Sequence, residues 1–88
     1  MTQDDIINNI NRLQWACRRG MLELDVLLGN FLREAYPALP LEDKFLFVDL
    51  LSEEDPLLFS WLMGHEEPED EKLRRITTII RNYARKGL

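Results

Sequence analysis

Positions 18 to 25 read Arg-Arg-Gly-Met-Leu-Glu-Leu-Asp, which gathers Arg18, Arg19, Glu23 and Asp25 around one glycine. Residues of these types can recognise a polar partner, and Gly20, having no Cβ, allows another backbone to approach closely. The run is a poor way to build a helix, since glycine in a helix interior costs about 1 kcal/mol relative to alanine. If the segment were helical, Arg19 and Glu23 would meet on one face, but with the base ahead of the acid, the weaker order for such a pair. If the chain instead breaks at Gly20 and a second helix starts there, Glu23 falls in its first turn, where the dipole favours negative charge. We prefer the break, with Gly20 at the corner and Arg19 and Glu23 flanking the opening. A helix junction carrying a surface ion pair, worth roughly 0 to 1 kcal/mol, fits the same periodicity.

Other reactive residue types lack the neighbours that catalysis needs. Ser52 and Ser60 have no nearby His-Asp arrangement, His65 stands beside Glu66 and Glu67 alone, and Cys17 is the single cysteine. One cysteine and one histidine make neither an internal disulfide nor a zinc constellation. The glycines form no dinucleotide fingerprint or phosphate loop, both of which follow a strand. The expectation is a protein that is not an enzyme, holds no metal and binds no FAD by itself.

These residues must be positioned by one small domain spanning 1–88, and 45% hydrophobic content in 88 residues is ample for a single core. A net charge of -5 and a pI near 4.8 argue against a nucleic-acid surface, which needs a basic stripe to displace counterions. The acidic start, Met1-Thr2-Gln3-Asp4-Asp5, lacks the order of a signal peptide, and no apolar run approaches the roughly 20 residues that span a bilayer. A cytoplasmic protein without membrane insertion is expected.

The patterning is helical throughout. Ile6, Ile10, Leu13 and Cys17, widened by Ile7 and Gln14, predict a first helix from about Asp5 to Arg18. Leu24, Leu27, Leu28, Phe31 and Ala35 predict a second, limited at Tyr36 because Pro37 disfavours helical angles before it. Leu41, Phe45, Val48 and Leu51 form a third stripe after Pro40. Asp55-Pro56 reads as N-cap and first residue of a short fourth helix that stops at Gly64. A fifth begins near Pro68, turns Leu73, Ile76, Ile80 and Tyr83 inward and ends before Gly87. The predicted fold is all-α, a compact five-helix bundle.

Charge is uneven along it. Residues 53–71 carry acids and no Lys or Arg, whereas 72–86 carry bases and no acid. Glu69, Asp70 and Glu71 in the first turn of the last helix, with Arg85 and Lys86 in its last, would each oppose the nearby dipole end. Arg74, Arg75 and Arg81 could form a minor basic face. Trp61 and Phe59 are assigned to the core, while Trp15, off the first apolar stripe, is a candidate exposed contact.

The stretch Trp15-Ala16-Cys17-Arg18-Arg19-Gly20-Met21-Leu22-Glu23-Leu24-Asp25 resembles the signature of the FAD assembly factor SdhE family, whose hallmark Arg-Gly-x-x-Glu is met by Arg19, Gly20 and Glu23. Asp55-Pro56-Leu57-Leu58-Phe59-Ser60-Trp61-Leu62 is similar to the family's acidic turn followed by an aromatic residue and a Trp. One departure is Leu57, where family members often carry an acid, so a contact made by that acid is not carried over. The resemblance implies an assembly factor that binds the flavoprotein subunit of succinate dehydrogenase, and that of fumarate reductase, and promotes covalent attachment of FAD to a histidine of that partner. The partner-binding patch is then assigned to Arg19, Gly20 and Glu23, with Arg18, Met21, Asp25 and Trp15 around them. Two other classes remain open on the residues alone: an antitoxin-like or regulatory protein-binding module, and a nucleic-acid-binding regulator using the last helix.

Overall fold

The computed structural model describes residues 7–86. Asn9 opens helix α1 (Ile10–Ala16), its side-chain oxygen accepting from the Arg12 N–H at 3.1 Å. That cap divides the first predicted helix, so α1 is shorter than expected. Its predicted start at Asp5 and Ile6 lies outside the described residues. Leu13 and Cys17 are buried as expected and Ile7 is buried too, but Ile10 is 41% exposed.

Helix α2 (Leu22–Glu34) buries Leu24, Leu28, Phe31 and Leu32. It stops two residues before the predicted limit, and Tyr36-Pro37-Ala38 closes into a single 3-10 turn. Pro40 precedes α3 (Leu41–Leu51), whose buried face is Phe47, Leu50 and Leu51 with the carboxylate of Asp43. This corrects the predicted stripe: Leu41 is largely exposed and Phe45 and Val48 are only half-buried. The run Phe45-Leu46-Phe47-Val48 followed by Leu50-Leu51 is apolar nearly all round, so the helical period fits more than one face.

Helix α4 (Asp55–Leu62) begins one residue earlier than expected, with Glu54 in the cap position and Asp55 inside the first turn. Asp55 is therefore not the N-cap. Gly64 ends this element with φ +82°, the left-handed angle that lets the chain reverse, and the His65 N–H donates back to the Ser60 carbonyl at 2.8 Å. Helix α5 (Glu71–Lys86) starts after Asp70 rather than near Pro68. The Asp70 carboxylate accepts from the Lys72 N–H at 2.7 Å, which makes it a cap and leaves Glu71 as the acid in the first turn. Among the described residues there is no strand.

Helix α5 packs against α2, α3 and α4, and α1 lies on α2. Ile76 and Ile80 are fully buried, with Leu73 and Tyr83 at the margin. Phe31 stacks on Phe47 at 5.4 Å and meets the Tyr83 ring edge-on at 5.3 Å. Trp61 belongs to the core, and Phe59 packs against it, half-buried. Polar ties also cross the bundle. The buried Tyr36 hydroxyl donates to the Ile7 carbonyl at 2.6 Å, and Arg75 clasps the buried Asp43 with contacts of 2.8 and 3.2 Å, joining α5 to α3. Among the described residues no helix is long and apolar enough to cross a membrane.

Candidate docking site

Between α1 and α2 the chain turns a corner at Gly20, whose φ of +81° lies in the left-handed region. A residue with a Cβ is strained there, which explains the glycine. Met21 follows in extended conformation and offers no side-chain cap to α2. Asp25, one turn into α2, holds the corner instead. Its Oδ1 accepts from the Arg19 N–H at 2.6 Å and its Oδ2 from the Gly20 N–H at 3.3 Å. The break at Gly20 is present, and Glu23 sits exposed in the first turn of α2.

Arg19 does not flank the opening beside Glu23. Its side chain, 15% exposed, turns inward to the junction of α3 and α4. Nη1 lies 3.2 Å from Asp55 Oδ1 and 3.4 Å from the Glu53 carbonyl oxygen, and Nη2 donates to the Leu51 carbonyl. Nε is buried with no hydrogen-bond partner among the described residues. The end of α3 exposes unpaired carbonyls and the negative end of a helix dipole, and α4 adds a carboxylate. Together they draw a guanidinium more strongly than an exposed acid four residues on.

A cluster of exposed side chains surrounds the corner. Trp15 is 72% exposed and the Arg18 guanidinium lies over its ring, 5.3 Å from the centroid. A Cβ built on Gly20 meets nothing within 4 Å, so the corner faces open space. Met21 packs partly into the core, and Asp25 is occupied by the backbone it caps. Of the seven assigned residues, Trp15, Arg18, Gly20 and Glu23 thus face outward, while Arg19 and Asp25 shape the corner from beneath.

Sequence reasoning missed Leu22, 77% exposed, and Val26, 53% exposed. They lead past Glu23 into a groove of about 610 Å3 whose lining includes Leu27, Met63, Tyr83 and Ala84. The signal was available, because Leu22 and Val26 are four apart on the side of α2 opposite Leu24 and Leu28. Asp55 was missed as well, having been read as a cap.

Electrostatics at the corner do not favour nucleophilic chemistry. Burial pushes the Cys17 thiol up to about 11, an effect that nearby Arg19 opposes and Asp25 reinforces. Such a thiol is protonated near neutral pH and a poor nucleophile. The three arginines that could have formed a basic face on α5 are engaged internally. Arg74 donates to the Pro68 and Glu69 carbonyls, Arg75 to Asp43, and Arg81 to Glu67 at 2.6 Å. His65 lies against the Phe59 ring, and no group of metal-ligating side chains occurs among the described residues.

A family model described as the flavinator of succinate dehydrogenase matches residues 11–84, a span that includes the Gly20 corner and the α4 motif. A protein named FAD assembly factor SdhE from Shewanella oneidensis is 54% identical over 76 residues, covering 86% of this chain and 93% of its own length. Proteins of the same name from Colwellia psychrerythraea and Coxiella burnetii are 54% and 46% identical, covering 82% and 83% of this chain and 79% and 89% of their own lengths.

Proposed function

We infer the function of this chain from its family: it belongs to the flavinators of succinate dehydrogenase, the FAD assembly factors named SdhE. It is an assembly factor rather than an enzyme, and it serves the covalent attachment of FAD to succinate dehydrogenase. Its direct partner is the flavoprotein subunit of that enzyme, with the corresponding subunit of fumarate reductase as a second client, met in the cytoplasm. The FAD and the histidine that accepts it both belong to the partner, and this chain holds no cofactor of its own.

The observation that carries this reading is the corner at Gly20. It lies within the family hallmark, takes a backbone angle that only glycine adopts freely, and faces open space. A partner backbone can come close there, met by Trp15 and Arg18 on one side and by Glu23, Leu22 and Val26 on the other. The mechanism is positional. A rigid bundle docked beside the flavin pocket stabilises one arrangement of the partner and holds flavin and histidine in reactive proximity, an effect that can be worth several kcal/mol of barrier. The inward engagement of Arg19 and the protonated, buried state of Cys17 support a role without chemistry by these side chains.

The test is to produce the flavoprotein subunit with and without this chain and measure protein-bound flavin fluorescence after denaturation. Covalent flavin should rise when the chain is present, and the two proteins should co-purify. Unchanged covalent flavin with no co-purification would sink the reading. The same capture separates it from an antitoxin-like module, which would retain a different protein, and from a nucleic-acid regulator.

A further inference from the structure

We propose that Asp55 is a positioning residue for docking: by holding the Arg19 guanidinium at the α3–α4 junction, its carboxylate fixes the shape of the Gly20 corner that the partner meets. This rests on the docking reading above. The two sequence motifs are thereby one structural unit, since Arg19 of the first reaches Asp55 of the second, 36 positions along the chain.

Residue 19 is pinned at both ends. Its backbone N–H is held by Asp25 from α2, while its guanidinium is held by Asp55 and by the carbonyls of Leu51 and Glu53. A glycine alone does not fix a corner, because it visits positive and negative φ with similar ease. The two pins beside Gly20 remove that freedom before the partner arrives, and a surface ordered in advance binds more tightly than one ordered on contact.

Asp55 supplies what the carbonyls cannot, a full countercharge. The Arg19 side chain is 15% exposed, and a charge so enclosed is stable there only with a partner. Among the described residues, its ion pair is with Asp55. Asp55 is also free for this task, because α4 opens before it and Glu54 occupies the cap position. Without the carboxylate, the guanidinium moves out to water and the inner pin is released. Asp25 then holds the corner from one side only. Asp55 itself need not touch the partner.

The experiment titrates the flavoprotein subunit with the full chain carrying Asp55→Ala, Asp55→Glu, Glu54→Ala or Gly20→Arg, at a temperature where circular dichroism shows each variant folded. Amide hydrogen exchange is followed at Arg19 and Gly20, with Phe47 and Ile76 reporting on the core. Asp55→Ala should weaken binding by about tenfold or more and speed exchange at Arg19 and Gly20 while the core amides stay protected. Asp55→Glu should recover most of the affinity, and Glu54→Ala should behave as the unaltered chain. Unchanged affinity in Asp55→Ala, alongside failed binding by Gly20→Arg, overturns the positioning role and leaves the docking reading in place. Weakened binding with unaltered exchange at Arg19 and Gly20 overturns it too, because Asp55 would then be a direct contact. Full affinity in Gly20→Arg would instead remove the docking reading itself. Should Asp55→Ala fail to fold, Asp55→Asn, which keeps the shape and drops the charge, carries the same comparison.

Discussion

Substitution of Gly20 by Ala, Asn and Arg separates backbone strain from lost docking. An L-residue at φ +81° costs about 1–2 kcal/mol, with Asn at the lower end because it tolerates the left-handed region. In a domain of this size each kcal/mol corresponds to roughly 4–8 °C in Tm. Gly20→Ala should therefore melt roughly 5–15 °C lower, and Gly20→Asn should lose less. Gly20→Arg should lose no more than Gly20→Ala to within about 0.5 kcal/mol, since nothing lies within 4 Å of the new Cβ and the rest of the side chain extends into solvent. Docking should rank the two differently. The arginine fills the space proposed for the partner's backbone and should abolish flavin attachment, whereas alanine should reduce it only in part. Thermal unfolding by circular dichroism and covalent flavin on the partner, measured on the same variants, decide the matter. A Gly20→Arg protein far less stable than Gly20→Ala would show that the corner is not open. A folded Gly20→Arg protein that supports full flavin attachment would refute the site.

Two further outcomes follow from the polar ties across the bundle. Tyr36→Phe leaves the buried Ile7 carbonyl without its donor and should cost about 1 kcal/mol, read as a Tm lower by roughly 5 °C. Burial pushes the Tyr36 hydroxyl from 10.0 up to about 12, so the neutral phenol favours the fold. The stability this adds is complete below about pH 10 and lost as pH rises through about 12; Tyr36→Phe should flatten that part of an alkaline unfolding curve. Arg75→Ala leaves the buried Asp43 carboxylate unpaired and should destabilise the bundle in denaturant titrations, while adding Asp43→Leu should recover much of the loss. A double variant no more stable than Arg75→Ala would count against a buried, uncompensated charge as the cause.

Helix number, order and most breaks were legible because they rest on local chemistry. Pro37 and Pro40 restrict their own backbone wherever the chain goes, Gly20 and Gly64 permit the left-handed angles that they adopt, and each lies at or beside a break in the structure. The face of α3 was not legible, since its apolar residues ring the helix and only tertiary packing, against α5 and the Phe31 and Tyr36 rings, selects Phe47, Leu50 and Leu51. The caps were confused for a related reason: Asp55 has the chemistry of a cap, but a guanidinium from a distant segment claims its carboxylate. At the candidate site the sequence located the corner and its exposed aromatic, Trp15. It could not show that Arg19 faces inward, because that depends on where the end of α3 comes to lie. Local pairing rules did indicate that Arg19 and Glu23 would make a weak couple, and the structure does without it.

The place of α5 in the packing has a consequence for how the molecule comes into being. Within the described residues, α5 packs against α2, α3 and α4 and closes the core by inserting Ile76 and Ile80. A nascent chain whose last helix is still inside the ribosome has its apolar faces unsatisfied, so the bundle closes cooperatively only after that helix emerges. The proposed docking surface, although its corner is encoded by earlier residues, therefore takes its final shape only once α5 is in place. A chain cut before that helix would leave the proposed docking surface unfinished.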